Sequence, residues 1–261
     1  MDAKDIAEGA LAVGTALKGL DLLKDVYGDL AKPAVQEVGK ALGAVLGLGN
    51  TILYPIYAAN GRAKIALEKN FERYRQKLEA VPPEHVVEVN PEIGVPIAEK
   101  LAYVADSTLA EMYVELLTRA SDSRTVGMVH PSFVNILSSL SPDEGLLLRN
   151  FRDIDRLIYA NVFATNLVPG VRHLLEKKFV LPTVATGLNS PENLAAYWSN
   201  LEGLGIIWTW ISPPNEGPRD EFLAAATEKW HRTFVGATIE LGWGAMERTP
   251  FGLLFIRACG I

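Results

Sequence analysis

The stretch GIIWTWIS, residues 205–212, is the clearest β signal in the sequence, and it decides the fold that we expect around it. It is short, rich in β-branched and aromatic residues, and bounded by Gly205 and by Pro213-Pro214, which is typical of a strand. A partner for it is predicted in ATIELGWGAME, residues 237–247. Together the two stretches indicate a pair of β-strands.

Helices are predicted on both sides of this strand pair. The upstream helix begins at Ser190-Pro191 and stops at Gly203 and Gly205, and Thr249 caps a last helix downstream. A helical insertion from Arg219 to Phe234 separates the two strands. Helix, strand, strand, helix is the order of a winged helix. We therefore predict a mainly α protein in which this pair is the main β element. An N-terminal helical region is followed by a helical domain with a winged-helix-like C-terminal part carrying a small β-hairpin.

The first thirty residues have the periodicity of a helix that packs against another helix. Small and apolar residues follow Ile6 at alternating steps of three and four. We expect this assembly seam to be buried against another helix of the chain or of a second copy. Its candidate contact residues are Val13, Leu20, Leu23, Tyr27 and Leu30.

The segment from Lys40 to Arg62 carries no charged side chain between its two ends, which raises the question of a membrane. Gly39, Gly43 and Gly47 repeat every four residues and form a face for close packing or lipid contact. The run 41–61 is long enough to cross about 30 Å of hydrocarbon as a helix. Since Asn50 and Pro55 interrupt it, we expect a buried, broken helix that enters a bilayer only after activation.

The helix that follows Gly61 is basic on one side and apolar on the other, where Leu67, Phe71, Tyr74 and Leu78 align. The basic side is either a solvated surface or a patch that contacts anionic lipid or phosphate. The candidate patch consists of Arg62, Lys64, Lys69, Arg73, Arg75 and Lys77.

A stretch with four prolines, VPPEHVVEVNPEIGVP, follows this helix and reads as a linker. We therefore predict an N-terminal helical region over residues 1–81, a linker over 82–95, and a helical and winged-helix-like domain over 96–261. Within the last region, helices from Pro96 to Ala105 and from Thr108 to Ala120 are expected, with Asp106 or Ser107 as the cap between them. The S-P-D-E sequence beginning at Ser141 predicts a capping box.

Composition limits the classes of function. The net charge is −6, with 31 acidic and 25 basic residues, so a general affinity for nucleic acid is not expected. The helix predicted from Pro191 contains no Lys or Arg, which also argues against DNA recognition. The single cysteine, Cys259, and the acidic start without an export signal fit a cytoplasmic protein.

Signs of catalysis are weak. His130 precedes a helix and suits a capping or packing role better than that of a general base. Glu228 and His231 share one helical face at a metal-binding spacing, but they lack further ligands in the same pattern. Phosphate-binding loops, nucleophile elbows and zinc-protease motifs do not occur. We therefore expect no enzyme activity, no catalytic residues, no cofactor and no metal.

Several longer motifs stand out in the sequence: KPAVQEVGKALGAVLGLGN, PIY, HPSFVNILSSLSPDEGLLL, LEGLGII and TPFGLLFIRAC. Together they resemble the abortive infection alpha family of bacterial proteins, from about Lys32 to Cys259 and most strongly in HPSF, LSPDE and T-x-F-G. The resemblance implies a part in defence against bacteriophage. It assigns no catalytic residue.

Two functional hypotheses follow from these observations. In the first, the chain is a non-enzymatic interaction module that forms a homo-oligomer and senses a phage or host protein. In the second, it is an effector whose 41–61 segment inserts into a membrane on activation and perturbs the bilayer.

Overall fold

The computed structural model describes residues 38–43, 61–211 and 218–261. The chain divides into two compact units, one ending at Ser139 but including Arg257–Gly260, the other comprising Leu140–Ile256 and Ile261. The predicted domain limits at 81, 82–95 and 96 stay a prediction.

The first unit is helical where it is described. Residues 38–41 are helical, and after residue 60 four helices follow one another, with short 3-10 turns at Pro83–His85 and Val126–Met128. Leu67, Phe71, Tyr74 and Leu78 are all at most 3% exposed, so the predicted apolar side of the first helix is its packing side. The helices are α1 (Gly61–Leu78), α2 (Pro91–Leu101), α3 (Ser107–Ala120) and α4 (Ser132–Ser138).

Local caps fix where two of these helices begin. The Asp106 carboxylate accepts hydrogen bonds of 2.9 Å from the backbone N–H groups of Thr108 and Leu109, which confirms the predicted cap of α3. Helix α2 begins at Pro91, five residues before the predicted start, because Asn90 caps it. Pro96 lies inside the helix instead of opening it.

The second unit contains a four-stranded, curled antiparallel sheet in the order β2-β1-β4-β3. Its strands are β1 (Arg156–Thr165), β2 (His173–Phe179), β3 (Ile207–Ile211) and β4 (Thr238–Arg248). Its helices are α5 (Pro142–Phe151), α6 (Leu194–Gly203), α7 (Arg219–Trp230) and α8 (Pro250–Ala258), the last of which continues into the residues grouped with the first unit.

This sheet corrects the predicted fold class. A mainly α chain with a winged-helix-like part and a small β-hairpin is wrong, although β3 and β4 do pair with each other. The prediction missed β1 and β2. Only Arg156 of β1 is exposed, and apolar residues lie on both faces of the strand, so its sequence lacks the clear alternation of a half-buried strand. Strand β2 carries His173, Glu176, Lys177 and Lys178, residues that are not typical of a strand.

The sheet packs against α7 through one face. Ala160 lies opposite Trp243, and Val162 lies opposite Leu241, in the antiparallel pairing of β1 with β4. Phe222 and Ala226 of α7 complete this core. The predicted helical insertion is therefore present, but it forms the cover of a sheet and does not interrupt a wing.

Candidate functional site

The S-P-D-E sequence at the start of α5 forms a network of buried carboxylates. Asp143 is 5% exposed. It accepts bonds of 2.9 and 2.8 Å from the backbone and side-chain nitrogens of Asn189, 2.8 Å from the Ser190 N–H and 3.0 Å from the Tyr197 hydroxyl. Burial alone would raise the pKa of Asp143, but these bonds outweigh it and hold the pKa below its usual range. Asp143 thus fastens α5 to the segment that leads into α6.

Glu144 completes the predicted capping box and extends the network. One of its carboxylate oxygens accepts bonds from the Ser141 N–H at 2.7 Å and the Ser141 hydroxyl at 2.9 Å. The other accepts a bond of 2.8 Å from Asn200 in α6. The acceptor oxygens of this motif therefore have protein partners, which is the pattern of a structural joint.

A second joint connects the LEGLGII and TPFG motifs. The Thr249 N–H donates to the Ile206 carbonyl at 2.9 Å, and the Thr249 hydroxyl lies 2.6 Å from the Gly205 carbonyl. Gly252 donates its N–H to the same hydroxyl at 2.8 Å. A Cβ atom at Gly252 would lie 2.0 Å from the Ile206 carbonyl oxygen, so only glycine fits. The sequence motifs thus contact each other.

A cleft of about 660 Å³ opens in the second unit between β2, the residues after it, the start of α6, and α7. This volume lies within the usual range for ligand sites. Its apolar walls are formed by Phe179, Val180, Pro182, Pro191, Leu194 and Ala225.

Four charged residues line the cleft, and they are not equivalent. Lys229 contacts the Glu176 carboxylate at 2.9 Å, and its ammonium lies 5.7 Å from the centre of the Phe179 ring. The Trp230 indole donates a further bond of 3.3 Å to Glu176. Glu192 and Glu228 pair with no basic side chain among the described residues. The cleft is therefore apolar with a surplus of negative charge.

Strand β3 forms an exposed edge of the sheet. Within the part of the chain that the structure describes, it pairs only with β4. Trp208 is 50% exposed and Ile211 is 89% exposed. The Trp208 and Trp210 rings lie side by side with 4.7 Å between their centres, and the Arg156 guanidinium lies 5.5 Å from the centre of the Trp210 ring. This is an apolar, aromatic surface.

A family model described as abortive infection alpha matches residues 65–259. The chain belongs to the abortive infection alpha family. The match covers most of the chain and confirms the family that the motifs indicate, although KPAVQEVGKALGAVLGLGN and PIY lie before the matched residues. No curated protein and no solved structure matches the sequence.

Family membership indicates a role in abortive infection, but the match does not extend to the N-terminal candidate sites. The assembly seam (Val13, Leu20, Leu23, Tyr27 and Leu30) lies outside the described residues, as does Gly47. The Gly43 position faces Glu88, whose carboxylate oxygen would lie 3.2 Å from an added Cβ. Ala41 is fully buried, and its carbonyl accepts a bond of 2.8 Å from the Val89 N–H.

The predicted basic patch lies on α1, where acidic side chains compensate two of its members. Arg75 pairs with Glu72 on the same helix and with Glu79 directly after it. Lys77 pairs with Glu111 at 2.9 Å and Glu115 at 3.0 Å, both on α3. These contacts favour the interpretation of a solvated, ion-paired surface, and lipid contact by the patch stays a prediction.

The remaining candidates behave as structural residues. His130 lies just before Pro131, the N-cap residue of α4, and its Nδ1 accepts a bond of 3.2 Å from the Ser132 N–H. The Glu228 side chain faces the cleft, whereas the His231 ring contacts backbone carbonyls of its own helix. The described residues contain no group of three potential metal ligands and no helix that is long and apolar enough to span a membrane.

Sequence reasoning missed both the cleft and the exposed edge. The cleft brings together residues from Glu176 to Lys229 that share no motif. The edge lies in the stretch that was recognised as β, but a sequence does not show which strands end a sheet. Its uncharged sequence, IWTWI, is typical of a central strand, because natural edge strands usually carry charge or proline.

Proposed function

We propose that this protein is a non-enzymatic bacterial defence protein against phage that acts through protein–protein interaction and self-assembly. The observation that carries the proposal is the β3 edge. Its five residues, IWTWI, include no charge, no proline and no glycine. Edges of this kind promote pairing with another chain unless they are covered.

The sequence of β3 suits pairing with a second copy. An antiparallel two-fold arrangement centred on Thr209 would place Ile207 opposite Ile211 of the second copy and Trp208 opposite Trp210. Every residue then meets one of its own kind, and aromatic pairs across strands stabilise a sheet by about 0.2–1 kcal/mol each. Two sheets would join into one.

The test uses the full chain with Trp208→Lys and Ile211→Lys, which place charge on the edge at exposed positions. We expect light scattering to show a smaller assembly than for the unchanged protein, with the secondary structure retained. Leu223→Lys with Val235→Lys is the matched control, since both residues are exposed and lie away from β3. Equal masses for the β3 variant and the unchanged protein would refute assembly through this edge.

A second candidate function is a membrane effector that inserts residues 41–61. The observation favouring it is the uncharged run itself, because its length suits a membrane-crossing helix. Insertion would have to release Ala41, whose backbone is bonded to Val89. We expect the protein from uninfected cells to leave the membrane fraction on washing with alkaline carbonate. Recovery mostly in the washed pellet would refute the expected resting state, in which this segment is a buried helix outside the bilayer.

A further inference from the structure

We infer that the cleft beside α7 binds a peptide segment of a partner protein in which Lys or Arg residues lie next to apolar residues. This inference rests on the proposed function, since it names the chemistry of the partner. It concerns a different surface from the β3 edge.

The charges on the cleft select for a basic occupant. Lys229 is neutralised by Glu176, which leaves the carboxylates of Glu192 and Glu228 as the net charge of the site. Apolar walls of low dielectric constant strengthen the negative potential between them. An anionic ligand such as nucleic acid would be repelled.

The apolar walls favour an occupant whose positive charge is attached to an apolar group. Phe179 and Leu194 are 6% and 7% exposed, and they line the same cleft as Glu192 and Glu228. A Lys or Arg side chain fits this combination, because its aliphatic stem lies along apolar surface while its charged end reaches a carboxylate. Neighbouring apolar residues of the same peptide would occupy the rest of the cleft.

The probe is an array of random synthetic peptides, incubated with the labelled full chain, followed by titration of the strongest peptides. We expect them to be rich in Lys or Arg next to apolar residues, and their binding to weaken as salt rises. Glu192→Gln with Glu228→Gln should weaken binding by about tenfold, the value expected for two exposed ion pairs. Ala225→Trp, which fills the cleft, should abolish it.

Glu84→Gln with Glu221→Gln is the matched control, because both residues are exposed and lie outside the cleft. This control has the same net charge as the Glu192→Gln, Glu228→Gln variant, and it should bind the peptides as tightly as the unchanged protein does. Equal binding by all variants, strong peptides without basic residues, or equally tight binding of butylammonium alone would each overturn the inference. Repeating the titration with the Trp208→Lys, Ile211→Lys variant separates a failure of self-assembly from a failure of the cleft.

Discussion

At the residue scale, single side chains of the family motifs hold the second unit together through backbone contacts. Asp143 receives two backbone N–H bonds from residues 46 and 47 positions away, and Thr249 bonds to the backbone at Gly205 and Ile206. Hydrogen bonds from this many donors stabilise the anionic form of a carboxylate more than water does. The contacts of these motifs are those of residues that stabilise the fold.

We predict that Asp143→Asn lowers the free energy of unfolding by about 3 kcal/mol at neutral pH, since the new amide group faces donors and leaves some of them unsatisfied. Urea unfolding measures this loss. Because the folded pKa of Asp143 lies below its unfolded value, its contribution is complete above about pH 4 and disappears as the pH falls further. Asp153→Asn, at an exposed side chain, is the control and should change stability little.

Gly252→Ala should lower the free energy of unfolding by about 1–3 kcal/mol, because the added methyl group meets the Ile206 backbone and not a movable side chain. Gly203→Ala in α6 is the matched control, since nothing lies within 4 Å of its added Cβ. Thermal unfolding compares the two. A Gly252→Ala protein as stable as the control would show that the close approach at Ile206 does not constrain the fold.

At the element scale, the central strands β1 and β4 pack through a large side chain on β1 that lies opposite a glycine on β4. Tyr159 lies opposite Gly244, and a Cβ atom at Gly244 would lie 2.1 Å from the Tyr159 ring. The ring therefore covers the glycine and brings its hydroxyl within 3.5 Å of the Trp210 carbonyl on β3. Burial raises the pKa of this hydroxyl, which keeps it neutral as a hydrogen-bond donor. One residue thus spans three strands.

A double-mutant cycle tests this fit. Gly244→Ala should destabilise the protein by about 1–3 kcal/mol when Tyr159 is present, because the ring must move. In a Tyr159→Ala background the same change should cost much less, since the clash is gone. Additive effects of the two substitutions on the free energy of unfolding would contradict the model of a shared site.

At the scale of the whole molecule, assembly could use two separate surfaces. The seam predicted from Ile6 to Leu30 is a helix-pairing pattern, whereas β3 pairs through backbone groups. The contributions of the two surfaces to the mass of the assembly can be measured separately, because each surface can be disrupted by its own substitutions.

Leu20→Asp with Leu23→Asp should dissociate or unfold the part of the protein that depends on the seam, since two charges would be buried in it. Sedimentation and thermal unfolding of the full chain detect either result. If β3 forms a second interface, this variant should still form a dimer, and adding Trp208→Lys with Ile211→Lys should convert it to a monomer. An unchanged sedimentation profile and melting temperature would refute burial of the seam.

The sequence by itself determined the family, a cap at Asp106 or Ser107, the Ser141–Glu144 capping box and the pairing of β3 with β4. The two caps are contacts within three residues, so local rules suffice for them. Tertiary structure alone decided that β1 and β2 are strands, that β3 is an edge and that a cleft lies beside α7. Apolar residues on both faces of β1 remove the alternation that reveals a strand. The cleft joins residues from Glu176 to Lys229, and the sheet pairs Arg156 with Glu247. Such distant pairings depend on how the whole chain packs, and no local pattern encodes them.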